Sequence, residues 1–478
     1  MTKSKEPNRL LRGLLAEAGW TEDFFARQVN AVAAESGVVM RLDRRSVTHW
    51  LAGRRPRSPV PELIAEAISR RLRRPVGLAD LGLARPATGP AAREEPEPRS
   101  RAADDGTPDA DAPPRDVGSV LAGLAQSSES RRRMLSATAY RVAALDVPGW
   151  AQATAGPPGL PPWPDPSYAQ RLEPGQVITA EQMVRLFSDL DDSFGGGHAR
   201  AELSCYLAFD IAPRLHAAGT PALRRRFFKA ATQLTYLAAF MCFDDGCHGL
   251  GQQYYRAALR LAGENNDPAG YAVALRGMSV QAQSLGHRQH AVHLAESAAA
   301  ISRGGTGPAR QAFFLGQVAV AAAAAGDRHH ALTAISAAER RLDQACSGTA
   351  TDGGGAVGRY HPASLANQEA AVRALLGDRK GAIATLTEAA RHRPQRERRS
   401  RALGHARLAG LHLDQGELDQ AVTVWHAFLD DSAFLTCGRA TTAMNALRSR
   451  LHPQRTHRAV EQLLIRTATA WTPETVAS

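Results

Sequence analysis

The sequence predicts an all-α protein: a small N-terminal helical domain, a disordered acidic linker, and a C-terminal α-solenoid of helical hairpins. Three observations support this. Aromatic residues make up only 6% of the 478 residues while alanine is abundant, which favours packed helices over sheets. One internal stretch is rich in Pro, Ala, Asp, Glu and Gly and nearly empty of large apolar side chains, so it cannot offset the entropy of ordering. Beyond it, glycine recurs at near-regular intervals inside a helical pattern.

The N-terminal domain, residues 1–85, carries 16 Lys and Arg against 9 Asp and Glu, a denser positive charge than the rest of a chain whose net charge is +11. Its first helix, Asn8–Ala18, sets Leu10, Leu11, Leu14, Leu15 and Ala18 at helical spacing and stops at Gly19. Thr21 suits the cap of a second helix, whose Glu22 and Asp23 fit the positive helix start and whose Phe24, Phe25, Val29 and Val32 are expected in the core. A third helix from near Asp43 to Gly53 interleaves Val47, Trp50 and Leu51 with arginine. A solvated basic tail has no use for that apolar stripe. A fourth, Pro61–Leu72, starts with proline in the permitted first turn and buries Leu63, Ile64, Ala67, Ile68 and Leu72.

Residues 86–118 read as the flexible linker, and 119–178 as a short helical segment followed by a Pro/Gly-rich connector at 147–166. From 179 to 478 the pattern is helical and repetitive. Gly246, Gly286, Gly326, Gly377 and Gly416 are each followed five positions later by a small residue, Gly251, Ala291, Ala331, Ala382 and Ala421. Their intervals are 40, 40, 51 and 39 residues, the long one holding a loop insertion at 347–358. Each unit is expected to be two antiparallel helices, with a left-handed Gly ending the first and the small residue admitting the second. One such pair cannot bury its own apolar face, so neighbours must stack. This register resembles the tetratricopeptide repeat family, with helices longer than its unit of about 34 residues allows and without most of its Trp, Tyr and Pro positions. Residues 453–469 resemble a capping helix.

In the N-terminal domain, GWTEDFFARQV followed by RRSVTHWLAGRRPRSP resembles the supporting and recognition helices of the Cro/repressor (XRE-like) helix-turn-helix class. The segment AAESGVVMRL between them exceeds that class's tight turn. The resemblance implies binding of double-stranded DNA, with Arg44, Arg45, Thr48 and His49 presented to base edges, Ser46 also on the DNA-binding helix, and Arg54, Arg55 and Arg57 gripping phosphates. Arg70, Arg71, Arg73 and Arg74 fit a solvated helix end or phosphate contacts equally. GGGHARAELSCYLAFDIAP together with FDDGCHGLGQQYYRAALRLA is similar to the helical sensor region of large helix-turn-helix/tetratricopeptide regulators of filamentous actinobacteria, members of which are implicated in differentiation and secondary metabolism. That resemblance implies a homodimeric transcriptional regulator whose solenoid takes a peptide, small-molecule or protein ligand. Tyr236, Tyr254, Tyr255, Arg276 and Gln281 are the candidate ligand-binding residues.

Other chemistry is weaker. The run His287, His290, His293 and the cluster Cys242, Cys247, His248 lack a closed set of four convergent ligands, so no metal or other cofactor is expected. Five scattered cysteines without a C-x-x-C pair read as reduced thiols. Asp189, Asp191, Asp192, Asp244 and Asp245 are expected to be helix caps, and GGGHAR at 195–200 lacks the Lys-Ser/Thr of a phosphate loop. No nucleophile elbow or dinucleotide fingerprint is present, and no catalytic residue is assigned, so an enzyme is not expected. RRRMLSATAY at 131–140 resembles the start of a twin-arginine signal but no adequate apolar stretch follows, and the expected place is the cytoplasm, at the nucleoid, with no membrane contact. The competing function is a repeat-based protein-interaction adaptor without specific DNA binding.

Overall fold

The computed structural model describes residues 7–83, 116–128, 139–155, 171–303, 306–347 and 360–470. Among them the protein is all-α, with one isolated bridge between Arg171 and Ala218 and no strand. The chain divides into two compact units, one of Met1–Ala34 with Val38–Val120 and one of Glu35–Gly37 with Leu121–Ser478. The linker expected at 86–118 lies outside the described residues except for 116–118, as do 348–358 of the loop insertion and 131–138 of the arginine motif.

The first unit is built from α1 (Arg9–Ala18), α2 (Glu22–Glu35), α3 (Arg44–Leu51) and α4 (Val60–Leu72). The Asn8 side chain caps α1 by accepting from Leu11 N at 3.0 Å, and its amide donates to Leu81 O at 2.8 Å. Leu11, Leu14 and Leu15 are buried, whereas Leu10 is 56% exposed. Phe25 is likewise buried while Phe24 is 39% exposed, lying against Trp20 and under the Arg27 guanidinium. Neighbouring residues on a helix point about 100° apart, so Leu10 and Phe24 turn off the faces that Leu11 and Phe25 use, and for Phe24 this corrects its expected place in the core. The chain after α4 adds Val76, Leu81 and Leu83 to that core.

Within α5 (Val117–Ser128) the chain passes to the second unit. There, a 3-10 turn at Val142–Leu145 and a single helical turn at Trp150–Thr154 precede α6 (Pro174–Phe194). Next, α7 (Arg200–Tyr206) continues through a π turn at Leu207–Ile211. Then come five hairpins: α8 (Pro221–Asp244) with α9 (His248–Glu264), α10 (Pro268–Ser284) with α11 (Arg288–Ser302), α12 (Pro308–Ala325) with α13 (Arg328–Ser347), α14 (Pro362–Leu375) with α15 (Arg379–His392), and α16 (Arg398–Asp414) with α17 (Leu418–Ser432). Finally, α18 (Gly438–Leu451) and α19 (Arg458–Ala470) end the stack, the latter where a capping helix was expected.

The repeat register is as the sequence predicts. The five turn glycines have φ between 80° and 91°, a region closed to most side chains, and each ends the first helix of its hairpin. The residues five positions on are buried, Ala291, Ala331 and Ala382 completely. Gly251 shows why they are small: a Cβ there would sit 3.0 Å from the Ala239 carbonyl of the facing helix. Each hairpin packs on the next, giving the α-solenoid. Its first hairpins also hold the segment before α6, where Arg141 N donates to Gln252 Oε1 at 2.9 Å and Gln252 Nε2 to Arg141 O at 2.8 Å.

Candidate functional site

Two places carry chemistry, and the first is α3. Asp43 caps it with a reciprocal box: its carboxylate accepts from Ser46 N at 2.9 Å and Ser46 Oγ lies 3.5 Å from Asp43 N. Those bonds hold the Asp43 carboxyl below the usual carboxylate range, the backbone bond from Ser46 contributing most. Val47, Trp50 and Leu51 face inward, with Trp50 edge-on to Phe25 at 6.4 Å between ring centroids. The long segment before α3 is shortened because α2 runs to Glu35, and Asn30 clamps what remains by donating to Leu42 O at 2.9 Å and accepting from Leu42 N at 3.0 Å. A bidentate clamp of this kind fixes register across an otherwise loose connection.

With the inner face fixed, Arg44, Arg45, Thr48 and His49 are exposed, as are Arg54, Arg55 and Arg57. They are not equivalent. Ser46 is half-buried and its hydroxyl is used by the cap. Thr48 Oγ1 donates to Glu22 Oε2 at 2.7 Å, and Arg44 Nε lies 3.6 Å from the same oxygen, so this part of α3 is tied back to α2. Arg45 and His49 have no such tie among the described residues. Arg54 and Arg55 border an open groove with Arg9, a cation in the first turn of α1 that sequence pattern does not single out. Arg70, Arg71 and Arg74 are taken up internally, by Glu66, by the Ala18 carbonyl and by Glu17.

The second place is the interior of the solenoid. The first helix of every hairpin contributes to the wall of a cavity of about 700 Å³, with α6 and α18 completing it. It closes because the two ends of the repeat array meet. Gly197 N donates to Thr436 O at 2.8 Å and Thr436 N to Phe194 O at 2.8 Å. The approach needs glycine: a Cβ on Gly195 would be 2.8 Å from the Thr436 carbonyl, and one on Gly196 2.7 Å from that of Met241.

Buried ion pairs span the same junction. Arg399 of α16 meets Asp191 at 2.9 Å and Asp192 at 3.0 Å on α6, and Asp244 of α8 at 3.8 Å. Arg439 of α18 also pairs with Asp244, and Arg200 with Asp245 at 3.5 Å. Asp191, Asp244 and Asp245 are therefore charge partners buried between helices, a correction to their expected role as caps. Three carboxylates surround two guanidiniums, and one of the three is in surplus. It is Asp191, whose Oδ1 has no hydrogen-bond partner. Burial, helped by Asp244 and Asp192 and opposed by Arg399, pushes its carboxyl up to about 7. Burial also raises Asp244, but Arg439 and Arg399 outweigh it and hold that group at about 2.

Of the candidate ligand residues, Tyr236 and Arg276 line the cavity. Tyr254, Tyr255 and Gln281 do not: all three are completely buried between helices, Tyr254 donating to Ser204 Oγ at 3.3 Å and Gln281 to His248 O at 2.9 Å. Their side chains lie on faces turned toward neighbouring helices, so they pack the repeats and cannot meet a solute. The cavity residues that pattern does not reveal are Phe240, Tyr360, Arg407 and Arg439. The available signal is an arginine on the first helix of a hairpin amid small residues, as in SRALGHARLAG. Among the described residues no group of three or more His, Cys, Asp or Glu is placed to hold a metal ion. No helix among them is long and apolar enough to cross a membrane.

A family model described as the SP15 N-terminal domain matches residues 11–84. No curated protein matches the chain. Among solved structures the chain is similar to the crystal structure of BtubC (BKLC) from P. vanneervenii, at 16% identity and a TM-score of 0.31 over 57% of this chain and 91% of that one.

Proposed function

We propose that the protein is a sequence-specific DNA-binding transcriptional regulator, acting as a homodimer at the nucleoid, whose solenoid senses a ligand or partner. The observation that carries this reading is α3: a short capped helix held by Val47, Trp50 and Leu51 that turns Arg45 and His49 outward to solvent. A helix so fixed can read base edges in a major groove, while Arg54, Arg55 and Arg57, with Arg9 beside them, suit phosphates. Control of differentiation or secondary metabolism follows from the resemblance to actinobacterial regulators alone.

The test selects preferred sequences from genomic fragments with the full chain and measures affinity against salt. Binding should weaken steeply as salt rises, since released counterions drive it. Arg45→Ala should lower discrimination at one base position by about 1–3 kcal/mol, and Arg54→Ala should weaken all sequences alike. Absence of any preferred site, with the dimer confirmed in solution, would replace this reading with that of a repeat-based adaptor.

A further inference from the structure

We propose that the solenoid cavity binds a small organic anion with a flat aromatic body, held by Arg276 and Arg407. This deepens the sensor half of the function proposed above and does not depend on the DNA-binding half.

The charges in the cavity do not balance. Arg276, Arg393, Arg399, Arg407, Arg439 and Arg450 line it. Four are answered by carboxylates: Arg393 by Glu397 at 2.7 Å, Arg450 by Asp414 at 2.6 Å, and Arg399 and Arg439 by the aspartates of the junction. Arg276 and Arg407 have only neutral partners. Arg276 donates to the Phe313 carbonyl at 3.3 Å and lies 3.6 Å from the centre of the Phe313 ring. Arg407 donates to the backbone and side-chain oxygens of Asn367 at 3.2 and 3.4 Å.

Oxygen dipoles and a ring face orient a guanidinium but leave its charge in place. Burial works against both cations, lowering their affinity for the proton, and for Arg407 the charge of Arg439 adds to it. Arg276 is half-buried and Arg407 is exposed to the water of the cavity, so each can exchange that water for the charge of an anion. Arg407 is surrounded by protein yet open to water through the cavity, so a solute can reach it. A carboxylate or phosphate group is the counter-charge that a guanidinium fork fits best.

The rest of the lining defines the body of that anion. Tyr236, Phe240, Phe313, Tyr360 and Trp425 present aromatic surface, with Gln283 and Gln317 as neutral polar groups among them. Trp425 Nε1 is buried and has no hydrogen-bond partner. A volume of about 700 Å³ is the size of small-molecule sites, which combine apolar walls with a few placed polar groups. Arg276 comes from the second hairpin and Arg407 from the fifth, so an occupant would answer charge from distant parts of the array.

The experiment titrates the full chain, without DNA, with 2-naphthoate and 2-naphthyl phosphate, and with neutral 2-naphthamide as control, by calorimetry and ligand-observed NMR. Both anions should bind saturably at one per chain, and the amide about ten-fold more weakly or worse. Arg407→Gln and Arg276→Gln should each weaken the anions by about ten-fold or more with the amide unchanged, and Arg226→Gln, outside the cavity and paired with Glu181 at 2.8 Å, should do little. Arg407 is water-accessible, so its variant should keep the parent melting temperature and separates ligand loss from unfolding. Equal binding of amide and anions, retained anion affinity in the folded Arg407→Gln protein, or no saturable anion binding at millimolar concentration would each overturn the proposal. DNA binding of the same preparations, measured separately, distinguishes that failure from failure of the regulator reading.

Discussion

Replacing Arg399 by methionine keeps most of the side chain's length and removes only its charge and hydrogen bonds. Three carboxylates, Asp191, Asp192 and Asp244, would then face Arg439 across the junction of α6, α8, α16 and α18, with Arg393 acting on Asp192 as well. Breaking a buried pair by removing one partner costs about 3–5 kcal/mol, and Arg399 is 7% exposed, so the upper part of that range applies. For a unit of this size each kcal/mol moves the midpoint by roughly 2 °C, giving a fall of about 8–10 °C in thermal melting followed by circular dichroism. The pH dependence identifies the cause. The Asp191 carboxyl is raised to about 7 from 3.8, so its contribution to stability is present below the lower value and is lost as pH rises through about 7. Asp191→Asn imitates the protonated form. It should raise stability at pH 8, leave it nearly unchanged near pH 4, and recover part of the loss in the Arg399→Met background. A fall below about 1 kcal/mol for Arg399→Met, or an Asp191→Asn gain that is the same at both pH values, would refute the surplus-carboxylate account of the junction.

Three further outcomes follow from packing. Trp50→Ala should destabilise the first unit by about 3–5 kcal/mol and, with it, abolish the proposed DNA binding, read by near-ultraviolet circular dichroism and gel shift. Asn30→Ala should cost about 1–3 kcal/mol through its two lost bonds to Leu42 and lower DNA affinity by more than that stability loss explains, because α3 loses its register. Gly251→Val should lower the melting midpoint of the solenoid by an amount corresponding to about 1–3 kcal/mol, since its Cβ meets the Ala239 carbonyl; a midpoint equal to the parent's would exclude the close-packing role of the repeat's small residue.

The features legible in the sequence are those whose cause is local. A Gly that ends a helix and a small residue five positions on impose the same turn and helix approach wherever they occur, so five hairpins could be read from spacing. Phe24 marks the limit of that logic, since it and Phe25 compete for one helix face and apolar spacing alone assigned both inward. The ion pairs of the junction lie beyond it, because Asp191 and Arg399 are 208 positions apart and neither end carries a pattern that names the other. One local mark of the junction did exist. Three consecutive glycines after a long helix are poor helix formers with no turn periodicity to explain them, and they are tolerated where another backbone comes within contact distance, as Thr436 does at Gly195 and Gly197. The same reasoning separates Arg276 and Arg407 from the other cavity arginines. Sequence can show that an arginine sits on the first helix of a repeat, but whether a carboxylate answers it is decided by which helices the closed array brings opposite, and that closure is a property of the whole stack.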